Sequence, residues 1–300
     1  MSNTFEVKKF NMDAMKPSRC SLAVGSKGSG KSTLITNLLY NIKDKVDLVL
    51  AISPTEDSQK MFESHIGYTL VWTEFDVERI EKIIAEQRHN RGALDRPFLV
   101  AIFMDDLGFD EKLWKNKTML DLHFNQRHID VQVVFSVQYV LSIKPDVRSN
   151  IDYVFAFNEK ISKNRVKLYE NFFGVFTNYA SFDKTMRACT QNYECLVLDN
   201  TQPTSSLDQT VFYYKAPLNL PSFKVGRSVF HELDKYCKKK THKRRPAIPG
   251  MAKDDAPAPT NDDGKITSVV KAGSGSAKSS KKSSRKSKGP PVEPLVLDGL

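Results

Sequence analysis

A glycine-rich segment near the amino end of the chain constrains its fold more than any other feature. Residues 25–32 read GSKGSGKS, which matches the pattern GxxxxGK[ST] in full. An apolar stretch at residues 20–24 precedes this segment. An amphipathic helical pattern follows it, carried by Leu34, Ile35, Leu38, Leu39 and Ile42. A strand, a glycine loop and a helix in this order predict a phosphate-binding loop. The alternative interpretation is a flexible Gly/Ser loop without a ligand.

The residue types of the loop suit the binding of a nucleotide. Glycines let successive backbone N–H groups point at one anion, and the amino end of the following helix favours negative charge. The Lys31 ammonium can reach the β- and γ-phosphates, and the Ser32 hydroxyl can ligate Mg²⁺. The predicted nucleotide-binding residues are Gly25, Ser26, Lys27, Gly28, Ser29, Gly30, Lys31, Ser32 and Thr33.

Polar side chains follow two other apolar segments. Residues 98–104 lead into Asp105 and Asp106, and residues 131–137 lead into Gln138. Ligands of open α/β sheets bind at the carboxyl ends of strands, so we predict that Asp105 holds Mg²⁺ through water. Asp106 would accept the proton of an attacking water, and Gln138 would hydrogen-bond that water or the γ-phosphate. The alternatives are a helix cap or turn for the acidic pair and an ordinary strand end for Gln138.

Strand-like and helix-like segments alternate along the chain, which predicts an α/β fold with a mostly parallel sheet flanked by helices. Several strands are continuous apolar runs, as is typical of strands buried on both faces. The predicted strands are residues 20–24, 48–52, 70–72, 98–104, 131–137, 153–157, 195–198 and 211–214. A second helix carries Val77, Ile80, Ile83 and Ile84 after a capping signal of Thr73 with Asp76, and a third carries Leu113, Leu120 and Phe124.

Positive charge is concentrated at the carboxyl end of the chain. Residues 238–300 hold 15 Lys or Arg and 6 Asp or Glu, whereas the rest of the chain holds 30 and 29. This segment is rich in Lys, Ser and Pro and cannot bury enough apolar surface to offset the entropy of ordering its backbone. We therefore predict an N-terminal arm at residues 1–17, a folded domain at residues 18–237 and a disordered basic tail. The tail would contact duplex phosphates, serve as a nuclear localisation signal or only solubilise the chain.

The sequence disfavours several other classes of protein. Its longest uninterrupted apolar run has seven residues, against about 20 in a membrane-spanning helix, so we expect no membrane span. The four cysteines lack CxxC spacing, and we interpret them as reduced thiols. Residues 116–119, NKTM, lack the Asp of the base-reading NKxD motif of GTPases. A nucleoside kinase remains open, with helices around Arg165 and Arg187 as its basic lid.

The motifs taken in order are more specific than the glycine loop alone. The segments GSKGSGKS, IFMDD, RHIDVQVVFSVQ and DVRSNIDYVFAF together resemble the poxvirus-type DNA-packaging ATPases of nucleocytoplasmic large DNA viruses. These belong to the HerA–FtsK superfamily of P-loop NTPases, and the resemblance covers about residues 19–198. It implies a RecA-like core, a homo-oligomeric ring and ATP-driven translocation of double-stranded viral DNA into the capsid. It also implies capsid or portal-type partners and a location in the host cytoplasm, at the virus factory, with the virion as a further location. Nuclear entry would depend on the basic tail.

The resemblance also assigns roles to single residues. It makes Lys31 and Ser32 the Walker A residues, Asp105 and Asp106 the Walker B pair and Gln138 the sensor. Many relatives have Asp-Glu at the Walker B position; because Asp is one methylene shorter, the water must lie closer or the strand must shift. ATPase rings often complete the site with an arginine of the neighbouring subunit. The candidates are Arg127 and Arg148, for which a surface or DNA-facing charge is the alternative.

Two functions other than packaging remain compatible with these motifs. A helicase- or segregation-type DNA translocase shares the chemistry and differs in its task, so unwinding of a forked duplex would distinguish it. A non-catalytic scaffold protein would bind ATP as a structural ligand and would have no need of a carboxylate pair.

Overall fold

The computed structural model describes residues 5–107, 113–237 and 296–297. Its strands are Phe5–Glu6 (β1), Lys8–Lys9 (β2), Cys20–Val24 (β3), Leu48–Ile52 (β4), Val71–Trp72 (β5), Val100–Asp105 (β6), Val131–Val137 (β7), Tyr153–Phe157 (β8), Cys195–Asp199 (β9), Val211–Tyr214 (β10) and Val296–Leu297 (β11). Its α-helices are Lys31–Ile42 (α1), Glu56–Ile66 (α2), Val77–Asn90 (α3), Lys117–Asn125 (α4), Pro145–Arg148 (α5), Ser162–Asn171 (α6), Tyr179–Cys189 (α7), Leu207–Thr210 (α8) and Ser228–Tyr236 (α9). Short 3₁₀ turns occupy Met12–Ala14, Tyr68–Leu70, Leu113–Lys115, Gln126–His128 and Val140–Ser142.

Nine strands of the described residues form one sheet, in the order β2-β10-β9-β8-β3-β7-β6-β4-β5. The six strands from β8 to β5 run parallel to one another, and β10 and β2 share their direction. Only β9, among these nine, runs in the opposite direction. The predicted α/β fold with a mostly parallel sheet is therefore confirmed, and so is each of the eight predicted strands. A separate antiparallel pair joins β1 to β11.

Both faces of the sheet are covered, which explains the continuous apolar runs of its central strands. Every residue of β3, β6, β7, β8 and β9 is buried. Helices α1 and α2 pack on one face through residues such as Leu38 and Phe62. Helices α3, α4, α6 and α7 pack on the other face, through residues such as Ile84, Leu122 and Phe182. A strand between two such layers exposes no side chain to water, so period-two alternation is absent from its sequence.

Two helix boundaries differ from their predicted positions. The N-cap of α3 is Asp76, whose carboxylate accepts a hydrogen bond from the Arg79 N–H at 3.1 Å. The capping signal that placed Thr73 at the cap is therefore wrong by three residues, because Asp76 itself accepts from a free N–H group of the first turn. Leu113 lies in a separate 3₁₀ turn. The third helix begins later, where the Asn116 side chain accepts hydrogen bonds from the N–H groups of the first turn.

The described part of the amino-terminal segment packs on the sheet of its own chain. Strand β2 pairs with β10 at the sheet edge, and the Phe10 N–H donates to the Tyr213 carbonyl at 2.8 Å. The Phe10 ring is 6% exposed and contacts the aromatic rings of Tyr153, Phe155, Phe212 and Tyr214. Val7, Phe10 and Met12 thus belong to the core, although the sequence suggested an arm at residues 1–17.

The last described helix, α9, is fixed by side-chain contacts. The Asp234 carboxylate accepts hydrogen bonds from the N–H groups of Tyr68 and Thr69, and a Cβ on Gly67 would lie 2.0 Å from its Oδ2 atom. Arg227, next to α9, donates to the buried Asp47 carboxylate at 2.7 Å. The predicted disordered tail lies outside the described residues, apart from β11. Among the residues that the structure covers, no helix is both long enough and apolar enough to cross a membrane.

The packing of Phe10 leads to a stability prediction. Substitution Phe10→Ala should lower the free energy of unfolding by about 3–5 kcal/mol, because it removes a buried ring and leaves a cavity. Phe124→Ala is the control, since Phe124 is 45% exposed, and it should cost less than about 1 kcal/mol. Urea unfolding of the full chain measures both. Equal stability of Phe10→Ala and the unsubstituted chain would show that residues 5–17 do not pack on their own subunit.

Candidate functional site

Three neighbouring strands bring the predicted site residues to one edge of the sheet. The carboxyl ends of β3, β7 and β6 are aligned, with Asp105 opposite Ser136 across the β6–β7 pair. The Gly25 N–H continues this alignment by donating to the Val137 carbonyl at 3.2 Å. On the other side, the Asp106 N–H donates to the Ser136 carbonyl at 2.9 Å. The glycine loop, Gln138 and the acidic pair therefore lie side by side, in that order.

The glycine loop is shaped by backbone conformation and by the side chain beneath it. Gly28 and Gly30 have φ angles of 77° and 111°, in the left-handed region that favours glycine. A Cβ on Gly25 would lie 2.7 Å from the Cβ of Phe157 and from the Ser29 hydroxyl oxygen. Phe157 is the last residue of β8 and is 2% exposed. The loop thus rests directly on the buried Phe157 side chain. Any larger residue at position 25 would push the loop away from Phe157.

Lys31, the first residue of α1, reaches back across the loop. Its ammonium donates to the carbonyls of Gly25 at 2.6 Å and Ser26 at 3.0 Å. Burial lowers the pKa of Lys31, while the charges of Asp106 and Asp105 act to raise it. A cation held between a loop of backbone donors and two carboxylates is placed to meet the terminal phosphates of a nucleotide.

The two carboxylates of the acidic pair have different environments. Asp105 is 8% exposed, and its Oδ2 atom accepts a hydrogen bond from the Ser58 hydroxyl at 2.5 Å. Asp106 is less buried, and both of its oxygens accept from the Gln138 amide nitrogen, at 3.0 and 2.8 Å. The Asp106 φ angle is 58°. This left-handed conformation is several-fold enriched in Asp and Asn, which is a physical reason for Asp rather than Glu at this position.

One cavity of about 700 Å³ contains most of the predicted site. This volume is within the range of small-molecule sites in proteins. Its lining includes residues of the glycine loop, the acidic pair, Gln138 and two groups that the sequence did not indicate. These residues are Lys27, Gly28, Gly30, Lys31, Ser32, Thr33, Thr55, Asp57, Ser58, Asp105, Asp106, Gln138, Tyr193, Lys215, Ala216 and Leu218.

The oxygen ligands that line this cavity suit Mg²⁺ bound together with a phosphate. The Ser32 hydroxyl and the Asp105 carboxylate supply oxygen, the ligand that Mg²⁺ prefers. Within the described ranges, no group of three or more His, Cys, Asp and Glu side chains is arranged to hold a metal ion. A metal at Ser32 and Asp105 would therefore need phosphate oxygens and water as its other ligands, which is how Mg²⁺ binds in nucleotide sites.

Neither candidate arginine lies in the cavity of its own chain. Arg127 precedes the amino end of β7 and forms an ion pair with the buried carboxylate of Asp152, which also accepts from the Cys20 N–H at 2.9 Å. Cys20 begins β3, whereas the glycine loop follows the last residue of β3. Arg127 therefore lies at the amino ends of the parallel strands, and the glycine loop lies at their carboxyl ends. Arg148 ends α5 and donates to the Ile143 carbonyl at 2.8 Å. Burial lowers the Arg148 pKa, and no carboxylate of the described residues pairs with it.

Sequence reasoning missed two walls of the cavity. One wall is the polar stretch after β4, with Thr55, Asp57 and Ser58. A polar stretch after an apolar strand is the same signal that identified Asp105 and Asp106. Tyr193 and Lys215 belong to loops beside the reversed strand β9. Their sequence holds no motif, because only the sheet order brings these loops to the glycine loop.

The structure also bears on the two alternative nucleotide-binding classes. Arg165 and Arg187 both form ion pairs with Asp183, and neither lines the cavity, so they do not form a basic lid in this structure. Asn116 caps α4, and the Thr118 hydroxyl donates to Glu81 at 2.7 Å. The NKTM segment therefore has a structural role at a helix start and lies outside the cavity lining.

The chain is similar in sequence to known viral proteins. A family model described as "Poxvirus A32 protein" matches residues 7–202. The protein 088R of Invertebrate iridescent virus 3 is 32% identical over 238 residues, which are 74% of this chain and 90% of that protein. The protein 015R of Frog virus 3 is 30% identical over 255 residues, which are 81% of this chain and 78% of that protein.

A solved structure shares the fold. The genome packaging NTPase B204 from Sulfolobus turreted icosahedral virus 2, in complex with ATP-gammaS, superposes with a TM-score of 0.51 at 17% identity. The match covers 68% of this chain and 100% of that chain. The complex of the same NTPase with AMPPCP gives a TM-score of 0.50 at 16% identity. At such low identity the likeness extends to the fold of the α/β domain.

Proposed function

This chain belongs to the Poxvirus A32 protein family, and we propose that it is an ATPase that moves double-stranded viral DNA into a capsid. The observation that carries the proposal is the convergence of Lys31, Asp105, Asp106 and Gln138 on one cavity beside a phosphate-binding loop. The family resemblance seen in the motifs is confirmed by the match of residues 7–202. ATP as substrate is supported by the complexes of B204 with ATP-gammaS and AMPPCP.

The loop and the start of α1 would bind the triphosphate. Backbone N–H groups of the loop after Gly25 would surround the phosphates, and the amino end of α1 would add its partial positive charge. Lys31 would exchange the carbonyls of Gly25 and Ser26 for the β- and γ-phosphate oxygens. Because burial already disfavours its charged form, a nearby polyanion would stabilise the Lys31 ammonium and raise its pKa. Thr33 lines the same cavity beside Ser32.

Asp106 and Gln138 would position and deprotonate the attacking water. The water oxygen forms a bond to the γ-phosphorus, the bond from that phosphorus to the bridging oxygen of ADP breaks, and Asp106 takes the proton of the water. The Gln138 amide, which now donates to both Asp106 oxygens, would turn one N–H towards the γ-phosphate when a nucleotide is bound. Mg²⁺, held at Ser32 and Asp105 with the phosphates, would neutralise charge on the phosphate oxygens.

The family and the positive charge of the chain support a role in DNA packaging within an oligomer. B204 is described as a genome packaging NTPase, and residues 238–300 hold 15 Lys or Arg for contact with DNA phosphates. We propose a homo-oligomeric ring that works with capsid or portal-type proteins at the virus factory in the host cytoplasm. Of the two candidate arginines, Arg148 suits a role at a neighbouring subunit better, because Arg127 already neutralises a buried carboxylate.

Variants of the site test the proposed chemistry. Asp106→Asn should still bind ATP but lower its turnover by about a hundredfold or more, because the base is lost while the left-handed backbone is tolerated. Lys31→Ala should lose nucleotide binding itself. Asp121→Asn is the matched control, since Asp121 pairs with Arg88 on the surface, and it should keep full turnover. Steady-state phosphate release and calorimetric titration with ATP measure these effects. Full turnover in Asp106→Asn would refute the assignment of the base.

The basic tail allows a test of DNA contact. Duplex DNA should stimulate ATP turnover, and the stimulation should fall steeply between 50 and 200 mM salt as phosphate contacts are screened, as is typical of charge-driven DNA binding. Exchange of the 15 Lys and Arg after residue 237 for Gln should weaken the stimulation and leave turnover without DNA unchanged. Turnover assays with and without duplex at several salt concentrations measure this. Stimulation that survives both the exchange and high salt would exclude the tail as a DNA contact.

A further inference from the structure

One wall of the cavity has no part in the proposed hydrolysis. It is formed by Tyr193, Lys215, Ala216 and Leu218, which we call the outer wall. Tyr193 is 69% exposed and Leu218 is 84% exposed, so both present apolar surface to solvent where they line the cavity. The Tyr193 hydroxyl makes no hydrogen bond to any other residue that the structure describes. An aromatic ring and an aliphatic side chain thus line the cavity with most of their surface left uncovered by the residues that the structure describes.

The sheet order explains how the outer wall reaches the glycine loop. Because β9 is reversed, the segment before it, with Tyr193, lies at the edge where the parallel strands end. Lys215 directly follows β10, which ends at the same edge. A Cβ on Gly30 would lie 3.5 Å from the Tyr193 Cβ, so the tyrosine stands beside the first turn of α1. The segment before β9 is also unusual, since Asn192 and Tyr193 have consecutive φ angles of 51° and 65°.

The same order fixes which end of a nucleotide faces the outer wall. Along this edge the sheet places β10 and β9 on one side of the glycine loop, and β7, β6 and β4 on the other. The terminal phosphate must face Gln138 and Asp106, since the attacking water lies there in the proposed mechanism. The nucleoside must then extend away from β7 and β6, towards β9 and β10. Of the cavity residues outside the loop, only those of the outer wall lie on that side.

We propose that the outer wall is the base subsite of the nucleotide, with the Tyr193 ring as the surface on which a purine stacks and Leu218 as its apolar flank. This assignment rests on the proposed function and names the part of the substrate that the hydrolytic residues do not contact. Stacking on an aromatic ring is tolerant of base identity because every base has a π-face. The Lys215 ammonium is the charged donor of the outer wall, and a donor can donate a hydrogen bond to N7 of either purine. The site therefore takes purine nucleoside triphosphates with little discrimination between adenine and guanine.

A ligand without a base separates this subsite from the phosphate site. The probes are AMPPCP, GMPPCP and inorganic tripolyphosphate, each titrated with Mg²⁺ into the full chain by calorimetry. Tyr193→Ala should weaken AMPPCP binding by about tenfold or more and leave tripolyphosphate binding unchanged, since only the stacked base is lost. Tyr193→Phe should bind like the unsubstituted chain, because it keeps the ring. Phe124→Ala removes a comparable exposed ring outside the cavity and should change neither affinity. AMPPCP and GMPPCP should bind within about tenfold of each other.

Several outcomes would overturn the assignment, and they differ from a failure of the proposed function. Unchanged AMPPCP binding by Tyr193→Ala, or an equal loss of AMPPCP and tripolyphosphate, would remove Tyr193 from the base subsite while the phosphate site stands. Discrimination between the purines by about a thousandfold or more would show hydrogen-bond recognition in place of stacking. An unsubstituted chain that binds neither AMPPCP nor tripolyphosphate would refute the nucleotide site as a whole.

Discussion

The alignment of three parallel strands at their carboxyl ends is the constraint on which the site depends. Backbone hydrogen bonds hold the start of the glycine loop to Val137 and Asp106 to Ser136. These bonds set the spacing between the loop, the Gln138 amide and the two carboxylates without any side chain having to bridge them. A slip of β7 by one residue would turn its buried side chains to the opposite face of the sheet and separate Gln138 from Asp106. Close packing opposes such a slip, because every side chain of β7 is buried and would have to repack on the opposite face.

Packing beneath the loop connects the site to the rest of the fold. Phe157 supports Gly25 and Gly30, and its strand, β8, also carries Tyr153 and Phe155. Those two rings contact Phe10 from the amino-terminal segment. The glycine loop therefore rests on β8. The position of β8 depends in turn on its contacts with Phe10 of the amino-terminal segment. This arrangement supplies the rigid base that a loop of flexible glycines lacks by itself.

The sequence predicted the parts of this molecule whose signals are local. Each of the eight predicted strands is a short apolar run, and the glycine loop, Asp105, Asp106 and Gln138 directly follow such runs, so the edge that they share follows from the parallel sheet. Residues whose placement depends on distant packing were missed. Ser58 reaches Asp105 only through the β4–β6 pairing, and Tyr193 reaches the loop only because β9 is reversed. Phe10 belongs to the core through a two-residue strand, which is too short to give a periodic pattern.

The central claim is that one magnesium–nucleotide complex is held between the glycine loop and Asp105. Electron–nuclear double resonance of Mn²⁺, added in place of Mg²⁺ together with AMPPCP, tests this claim most directly. The expected result is Mn²⁺ that binds only when the nucleotide is present, shows coupling to phosphate ³¹P nuclei and binds much more weakly in the Asp105→Asn variant. Tight Mn²⁺ binding without nucleotide, or a nucleotide-bound Mn²⁺ signal that Asp105→Asn leaves unchanged, would contradict the account.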